Sequence, residues 1–268
     1  MLERIARYEI KYTIPLHMVD KICQFIKPYC QLDEHSVNEP DNYYTVNSLY
    51  FDSLNYLLFD RRIYGKNPRY NIRARFYGKK ANPPWFMELK RKNAYITTKY
   101  RADVSDNDWP DIFTKSQWRM NNDTSNMQKI NTNLIRRIVE SYDLKPVVLV
   151  QYQRRAFFSN IDEYARITFD KNLESVATNS YMPQQDMKNL TPFGDYFLYD
   201  LGHDDGNSVV LELKCLPTET PIWFFDLVHK FNLKQRPFSK YVFGLRHATG
   251  WTDRRFDINN PQDIDHIF

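Results

Sequence analysis

Charged side chains two residues apart recur along this chain, in stretches whose intervening positions are apolar. The pairs include Glu9 and Lys11, Arg73 and Arg75, Lys99 and Arg101, and Glu212 and Lys214. Glu88, Lys90 and Lys92 form a triplet, and Arg166 and Asp170 flank Thr168. Side chains alternate across a strand, so each set shares one face. The opposite faces carry Tyr8 and Ile10, Ile72, Ala74 and Phe76, Met87 and Leu89, Ile167 and Phe169, and Val209, Leu211 and Leu213. A half-exposed antiparallel sheet also alternates in this way, with its charges in water. Its signs would be mixed, however, whereas Arg73, Arg75, Lys90, Lys92, Lys99 and Arg101 would repel one another if their strands paired in sequence. Curling the sheet so that these residues point inward makes a polar tunnel with an apolar exterior covered by helices.

The charge distribution locates the tunnel's demand. Net charge is only +4, but residues 61–101 hold 13 Lys or Arg against Glu88 alone, a local excess of 12, which leaves the rest of the chain at −8. A segment so lopsided is built for an anion. Nucleic acid is not the expected partner, because stacking aromatics should share the cationic face, and Phe76 and Phe169 lie opposite it. With 7 glycines and neither GxGxxG nor GxxxxGK[ST], the chain has no glycine-rich phosphate loop, so any phosphate must be held by side chains.

Eight segments read as strands: Arg7–Ile14, Tyr43–Asp52, Tyr70–Tyr77, Trp85–Lys92, Ile96–Val104, Val147–Phe158, Ala165–Asp170 and Val209–Leu216. Helical spacing falls at Pro15–Tyr29, Leu54–Tyr64, Asn131–Tyr142 and Glu219–Phe231, with loops at Trp118–Asn133 and Thr178–Asn189. The expectation is one α+β domain over residues 1–268, an eight-stranded antiparallel β-barrel with peripheral helices. The apolar runs are far shorter than the roughly 18–20 residues of a bilayer crossing. Charges within Met1–Lys11 leave no continuous apolar stretch for a signal peptide. Cys23, Cys30 and Cys215 are odd in number and lack a CxxC pair, so reduced thiols and a cytoplasmic location are expected. His17, His35, His203, His229, His247 and His266 are scattered without metal spacing, and Asp52 and Asp170 read as structural hydrogen-bonding residues.

Eight ordered motifs resemble the VTC domain, the polyphosphate polymerase domain of the vacuolar transporter chaperone complex and a branch of the CYTH-like triphosphate tunnel metalloenzymes. They are RYEIKY (7–12), VNSLYFD (46–52), NIRAR (71–75), MELKRK (87–92), QYQRRAF (151–157), RITFD (166–170), LELK (211–214) and FSKY (238–241). The resemblance implies a lumen that binds triphosphate or polyphosphate and transfers the γ-phosphate of ATP to a growing chain. Lys11, Arg73, Arg75, Lys90, Lys99, Arg154, Arg166 and Lys240 match its phosphate-binding positions. Tyr152 and Ser239 match further polar contacts, and Glu212 matches the acid that holds a divalent cation, Mn²⁺ or Mg²⁺. Strand parity adds Arg101 and Lys214 to the substrate contacts and Glu88 to the acids, with Glu9 as a further candidate metal ligand.

One departure bears on the reaction. The hydrolase branch opens with ExExK, and Arg7 occupies the first position here, which favours polymerase over triphosphatase. The alternatives are an inorganic or nucleoside triphosphatase and a non-catalytic polyphosphate-binding module. Neither the phosphate-sensing SPX domain nor the membrane helices of the eukaryotic complex is found in the sequence. A membrane-bound partner is compatible with it.

Overall fold

The computed structural model describes residues 8–80, 84–93, 96–120, 124–193, 208–216, 219–235 and 238–250. Ten strands form one antiparallel sheet: β1 (Tyr8–Pro15), β2 (Cys30–Leu32), β3 (Tyr44–Asp52), β4 (Arg69–Tyr77), β5 (Trp85–Asn93), β6 (Ile96–Val104), β7 (Lys145–Ser159), β8 (Ala165–Ala177), β9 (Thr191–Pro192) and β10 (Ser208–Cys215). Eight run in the order β1-β10-β8-β7-β3-β4-β5-β6, and the short β2 and β9 hang on β7 and β8. The eight expected strands are these eight. Among the described residues no ladder joins β6 back to β1, so the sheet is a curled half-barrel; the gap is bridged by an ion pair from Glu9 on β1 to Lys90 on β5. Arg7, the position of the motif departure, lies outside the described residues, as do His203 and His266.

The alternation in sequence becomes two faces in space. On the convex side α1 (Val19–Ile26) sets Val19, Ile22 and Ile26 beside Trp223, Phe224 and Leu227 of α6 (Ile222–Lys230), over Ile167, Phe169, Leu211 and Leu213. At roughly 1.5–3 kcal/mol for each large side chain buried, this layer holds the β1–β10–β8 wall. A second layer puts Ile135 and Val139 of α5 (Asn126–Ser141) with Ile72, Phe76, Met87 and Leu89 of β4 and β5. Phe76 and Phe169 are therefore in the outer core, on the face away from the cations, as the sequence indicates.

The concave face is polar only in part. A helix absent from the sequence reading, α7 (Lys240–Thr249), lies against its β7–β8 region, where Tyr241, Val242 and Leu245 pack with Val148, Val150 and Val210. α7 covers that half of the concave face. Its Gly244 is close-packed: a Cβ there would stand 2.5 Å from Val150 Cγ2. Three smaller differences have local causes. The helix expected from Asn131 starts at Asn126, because Ser125 caps it by accepting from the Gln128 N–H. Strand β8 runs past Asp170 to Ala177 after its register against β7 shifts between Gln151 and Gln153. The expected loop at Thr178–Asn189 includes a 3₁₀ turn over Asp186–Asn189.

A cationic bore as the candidate site

The remaining concave face lines a cavity of about 180 Å³. Ten Lys or Arg side chains and three carboxylates surround it. It shares Arg75, Lys99, Arg154 and Arg166 with a wider mouth of about 560 Å³ near β2 and α2 (Glu34–Val37). Cations from seven strands and two helices therefore converge on one bore. Five acids, Glu9, Asp33, Glu88, Asp170 and Glu212, make this crowding tolerable.

Glu88 on β5, 2% exposed, is the hub of one wall. Arg73 donates to its Oε2 through Nε and Nη2 at 2.8 and 2.6 Å, Lys99 Nζ lies 2.5 Å from Oε1, and Arg75 Nη1 lies at 3.7 Å. Burial alone would raise the Glu88 pKa, but Arg75, Arg73 and Lys99 hold it well below the carboxylate range. Lys99 goes down to about 7: burial dominates, Glu88 opposes it, and Arg75 and Arg73 push the same way as burial.

On the other wall Asp170, fully buried, accepts from Arg154 Nε and Nη2 at 2.6 and 2.7 Å and from Lys240 Nζ at 2.6 Å. Its pKa falls to about 2, because these cations outweigh burial. Glu212 on β10 has Lys214 at 3.2 Å, Lys11 at 3.7 Å and Arg154 at 3.9 Å, which keep it ionised despite burial. Burial pushes Lys11 down to about 8 against the pull of Glu212, and its Nζ also donates to the Phe238 carbonyl at 3.3 Å. Outside this set Arg166 donates to Asp33 at 2.9 Å, and Asp33 in turn caps α2 by accepting from the His35 N–H.

Thus Lys11, Arg73, Arg75, Lys90, Lys99, Arg154, Arg166, Lys214 and Lys240 come together in the bore, with Tyr152 between Arg154 and Lys240, whose cationic groups lie 5.3 and 4.6 Å from its ring centre. Arg101 stands apart at the mouth, stacked 3.7 Å over Phe86 and donating to Asp103 at 3.1 Å. Ser239 borders the cavity, but its hydroxyl caps α7 by accepting from the Val242 N–H at 3.4 Å. Asp52 caps α3 (Leu57–Ile63) by accepting from the N–H groups of Leu58 and Phe59 at 2.8 Å. Sequence reasoning overlooked Arg62, Tyr50 and Asn71, which also line the cavity. Arg62 sits on α3, where strand parity has nothing to say.

The three expected metal ligands are not brought together. Among the described residues no cluster of three or more His, Cys, Asp or Glu forms. Glu88 is enclosed by its own three cations, whereas Glu9 is close enough to feel the charge of Glu212. Two ionised carboxylates on one wall fit a hard divalent cation that takes its other oxygens from phosphate and water. The bore also holds unsatisfied donors: among the described residues, Nε of Arg62, Arg75 and Arg166 is buried with no hydrogen-bond partner. Buried donors are almost always paired, so these three point to a missing acceptor.

A curled antiparallel sheet gripping a bore of guanidinium and ammonium groups defines the class, a half-barrel domain with a strongly cationic lumen. The chain belongs to the VTC domain family, whose family model matches residues 6–248. Among curated proteins it is 27% identical over 233 residues to vacuolar transporter chaperone complex subunit 4 of Trypanosoma brucei brucei, covering 77% of this chain and 29% of that protein. It is 24% identical over 236 residues to the subunit of the same name from Trypanosoma cruzi, covering 77% and 28%. The chain thus spans less than a third of the length of these relatives. Solved structures it resembles include a protein of Vibrio parahaemolyticus provisionally described as an adenylate cyclase, at 10% identity and TM-score 0.45 over 90% of this chain and 98% of that one. Another is HpAC1 of Hippeastrum, described as having a dominant triphosphatase activity, at 12% identity and TM-score 0.44 over 92% and 96%.

Proposed function

We propose that this chain is a polyphosphate polymerase that transfers the γ-phosphoryl group of ATP to the end of a polyphosphate chain held in the bore. The observation that carries the reading is the bore itself, ten cations around about 180 Å³ with buried guanidinium donors left unpaired. The family supports it, and so do relatives named as subunits of a vacuolar transporter chaperone complex.

Phosphoryl transfer asks a protein for alignment and charge neutralisation more than for covalent chemistry. An ionised terminal oxygen of the chain attacks the γ-phosphorus, the bond between that phosphorus and the β–γ bridging oxygen breaks, and ADP leaves with the electron pair. The nucleophile is already an anion, so no general base is required. Arg73, Arg75, Arg154 and Arg166 fix phosphate oxygens with planar forks, while Lys11, Lys90, Lys99, Lys214 and Lys240 act as movable point charges. Lys240 opens α7, so the positive end of the helix dipole adds to its charge. Tyr152 and Ser239 border the substrate, and Arg101 serves the mouth. Glu212, with Glu9, would hold Mg²⁺ or Mn²⁺, which would supply positive charge to offset that developing on the leaving group. Glu88 acts as the counter-charge that orders Arg73, Arg75 and Lys99. Free thiols at Cys23, Cys30 and Cys215 fit a cytoplasmic, ATP-containing setting.

The test is incubation of purified protein with ATP and Mn²⁺ or Mg²⁺. Acid-labile chains visible on a gel, with one ADP per phosphate incorporated, are expected; Glu212→Gln should bind triphosphate and lose turnover. ADP and free phosphate without chains would replace the proposal with a triphosphatase. Binding without ADP release would reduce it to a binding module.

A further inference from the structure

The bore does not end at the residues described so far. Along β4 the concave side chains are Arg75, Arg73, Asn71 and Arg69, and along β5 they are Glu88, Lys90 and Lys92; the register pairs Asn71 with Lys90 and Arg69 with Lys92. Arg62, projecting from α3, also lines the cavity and lies close enough to Arg69 to feel its charge. Arg69, Lys92 and Arg62 thus form a cationic cluster at the end remote from the wide mouth. Six residues separate Arg75 from Arg69, a span of about 20 Å at the rise of an antiparallel strand.

This cluster lacks what every other basic group in the bore has. Glu88, Asp170, Glu212 and Asp33 each neutralise neighbouring cations elsewhere, but among the described residues no carboxylate lies within ion-pair distance of Arg62, Arg69 or Lys92. Arg69 is 3% exposed, and Nε of both Arg62 and Arg69 is buried without an acceptor. The adjacent Arg61 shows how a structural arginine behaves at this place: its Nε and Nη2 both donate to the Pro68 carbonyl, at 3.1 and 2.8 Å. The crowding lowers the basicity of the cluster. Burial, then Arg69 and Arg62, bring Lys92 down to about 8, and burial followed by Arg69 brings Arg62 to about 10. Glu9 offsets this only at longer range, and because buried charge is costly unless paired, an anionic ligand would relieve the crowding.

We infer that Arg62, Arg69 and Lys92 form a second polyanion station, which holds phosphates of a chain too long to be contained in the central cavity. It rests on the polyphosphate reading of the bore and adds to it a direction and a length preference. Triphosphate occupies the central cavity alone, and a longer chain continues past Asn71 and Lys90 onto the cluster. The wide mouth is then left to the incoming phosphoryl donor, and the chain extends toward α3.

The test compares the affinities of the whole protein for inorganic triphosphate and for polyphosphate of about 100 units, using Lys92→Gln and Arg69→Gln. Lys92 is only half-buried, so Lys92→Gln decides the matter if Arg69→Gln fails to fold, and the exposed Lys27→Gln controls for loss of net charge. The inference expects each cluster variant to raise the Kd for the long chain about tenfold or more, the worth of one charge-assisted hydrogen bond. The triphosphate Kd should stay within about twofold, and Lys27→Gln should change neither. Unchanged long-chain affinity in Lys92→Gln overturns the station, and equal weakening for both ligands overturns it too by merging the cluster with the central site. If the unsubstituted protein binds neither ligand, the functional proposal itself fails, an outcome distinct from either.

Discussion

Replacing Glu88 by glutamine isolates the relation between ligand and counter-charge. Glu88 is 2% exposed and faces the Arg73 fork at 2.6–2.8 Å, Lys99 at 2.5 Å and Arg75 at 3.7 Å. Glutamine keeps the shape and loses the charge. Removing one partner of a buried ion pair costs about 3–5 kcal/mol, because the other partner stays buried and uncompensated. For a domain of this size each kcal/mol moves the melting temperature by about 2–4 °C, so a fall of roughly 6–20 °C is expected without ligand. Triphosphate should return much of it. Ligand at 100 times its Kd stabilises any folded protein by about 2.7 kcal/mol. In the variant Arg73, Arg75 and Lys99 are free to engage phosphate without first giving up Glu88, so the Kd itself should fall.

The measurements are denaturant-unfolding curves with and without triphosphate, at neutral pH and in acid. Because the folded-state pKa of Glu88 lies below its unfolded value, its contribution is complete above the ordinary carboxylate pKa and fades as pH falls through the folded one. Parent and variant should therefore converge in strong acid. A variant within about 1 kcal/mol of the parent at neutral pH, or one that gains no more from triphosphate than the parent does, would refute the assignment of Glu88 as the counter-charge of this wall.

Two further expectations follow from single sites. Lys99, brought down to about 7 chiefly by burial, loses its charge as pH rises from 6 to 8, so triphosphate affinity should weaken over that interval; calorimetry should find proton uptake on binding at pH 8, reduced in Lys99→Arg, which stays charged. With its side chain 45% exposed, solvent moderates the size of this effect but not its sign. Gly244→Ala would push a methyl group to 2.5 Å from Val150 Cγ2, and overpacking of this kind costs about 1–3 kcal/mol; the melting temperature should fall while triphosphate affinity in the remaining folded protein is retained.

The period-two signal carried most of the site because it reports a face, and a face is what a strand contributes to a bore. Arg73, Arg75, Lys90, Lys99, Glu212 and Lys214 were all legible in this way. Parity cannot say how far a face extends or what stands across from it. It therefore put Arg101 with Lys99 although Arg101 turns to Phe86 at the mouth, and it added Glu88 to the acid that the family resemblance supplies, Glu212, although Glu88 is enclosed by its own cations. Arg62 reaches the bore from a helix, where period-two logic does not apply. The helix α7 was hidden because Tyr241, Val242, Phe243 and Leu245 are all buried, and a helix buried on most sides has no amphipathic stripe to detect. Asp170 was expected to be structural, and it does bind protein groups, yet the groups it binds are Arg154 and Lys240 of the bore.

That last residue shows how the bore is balanced. A cavity with ten cations cannot fold empty unless its own carboxylates occupy part of the space a polyanion's charges would fill. Those carboxylates divide by exposure and by the number of groups they hold. Asp170, with no exposure and both oxygens engaged by Arg154 and Lys240, is a fixed support that orients the cations it pairs. Glu9 on the edge strand β1 and Lys90 on β5 pair across the open side of the half-barrel, joining strands that no ladder connects among the described residues. A phosphate chain entering between them would take over Lys90 and release Glu9 toward Glu212, leaving two carboxylates beside the newly arrived phosphate oxygens. Anion binding would then create the oxygen-rich setting that a divalent cation prefers. On the polyphosphate reading, opening of the Glu9–Lys90 pair would couple chain binding to metal binding.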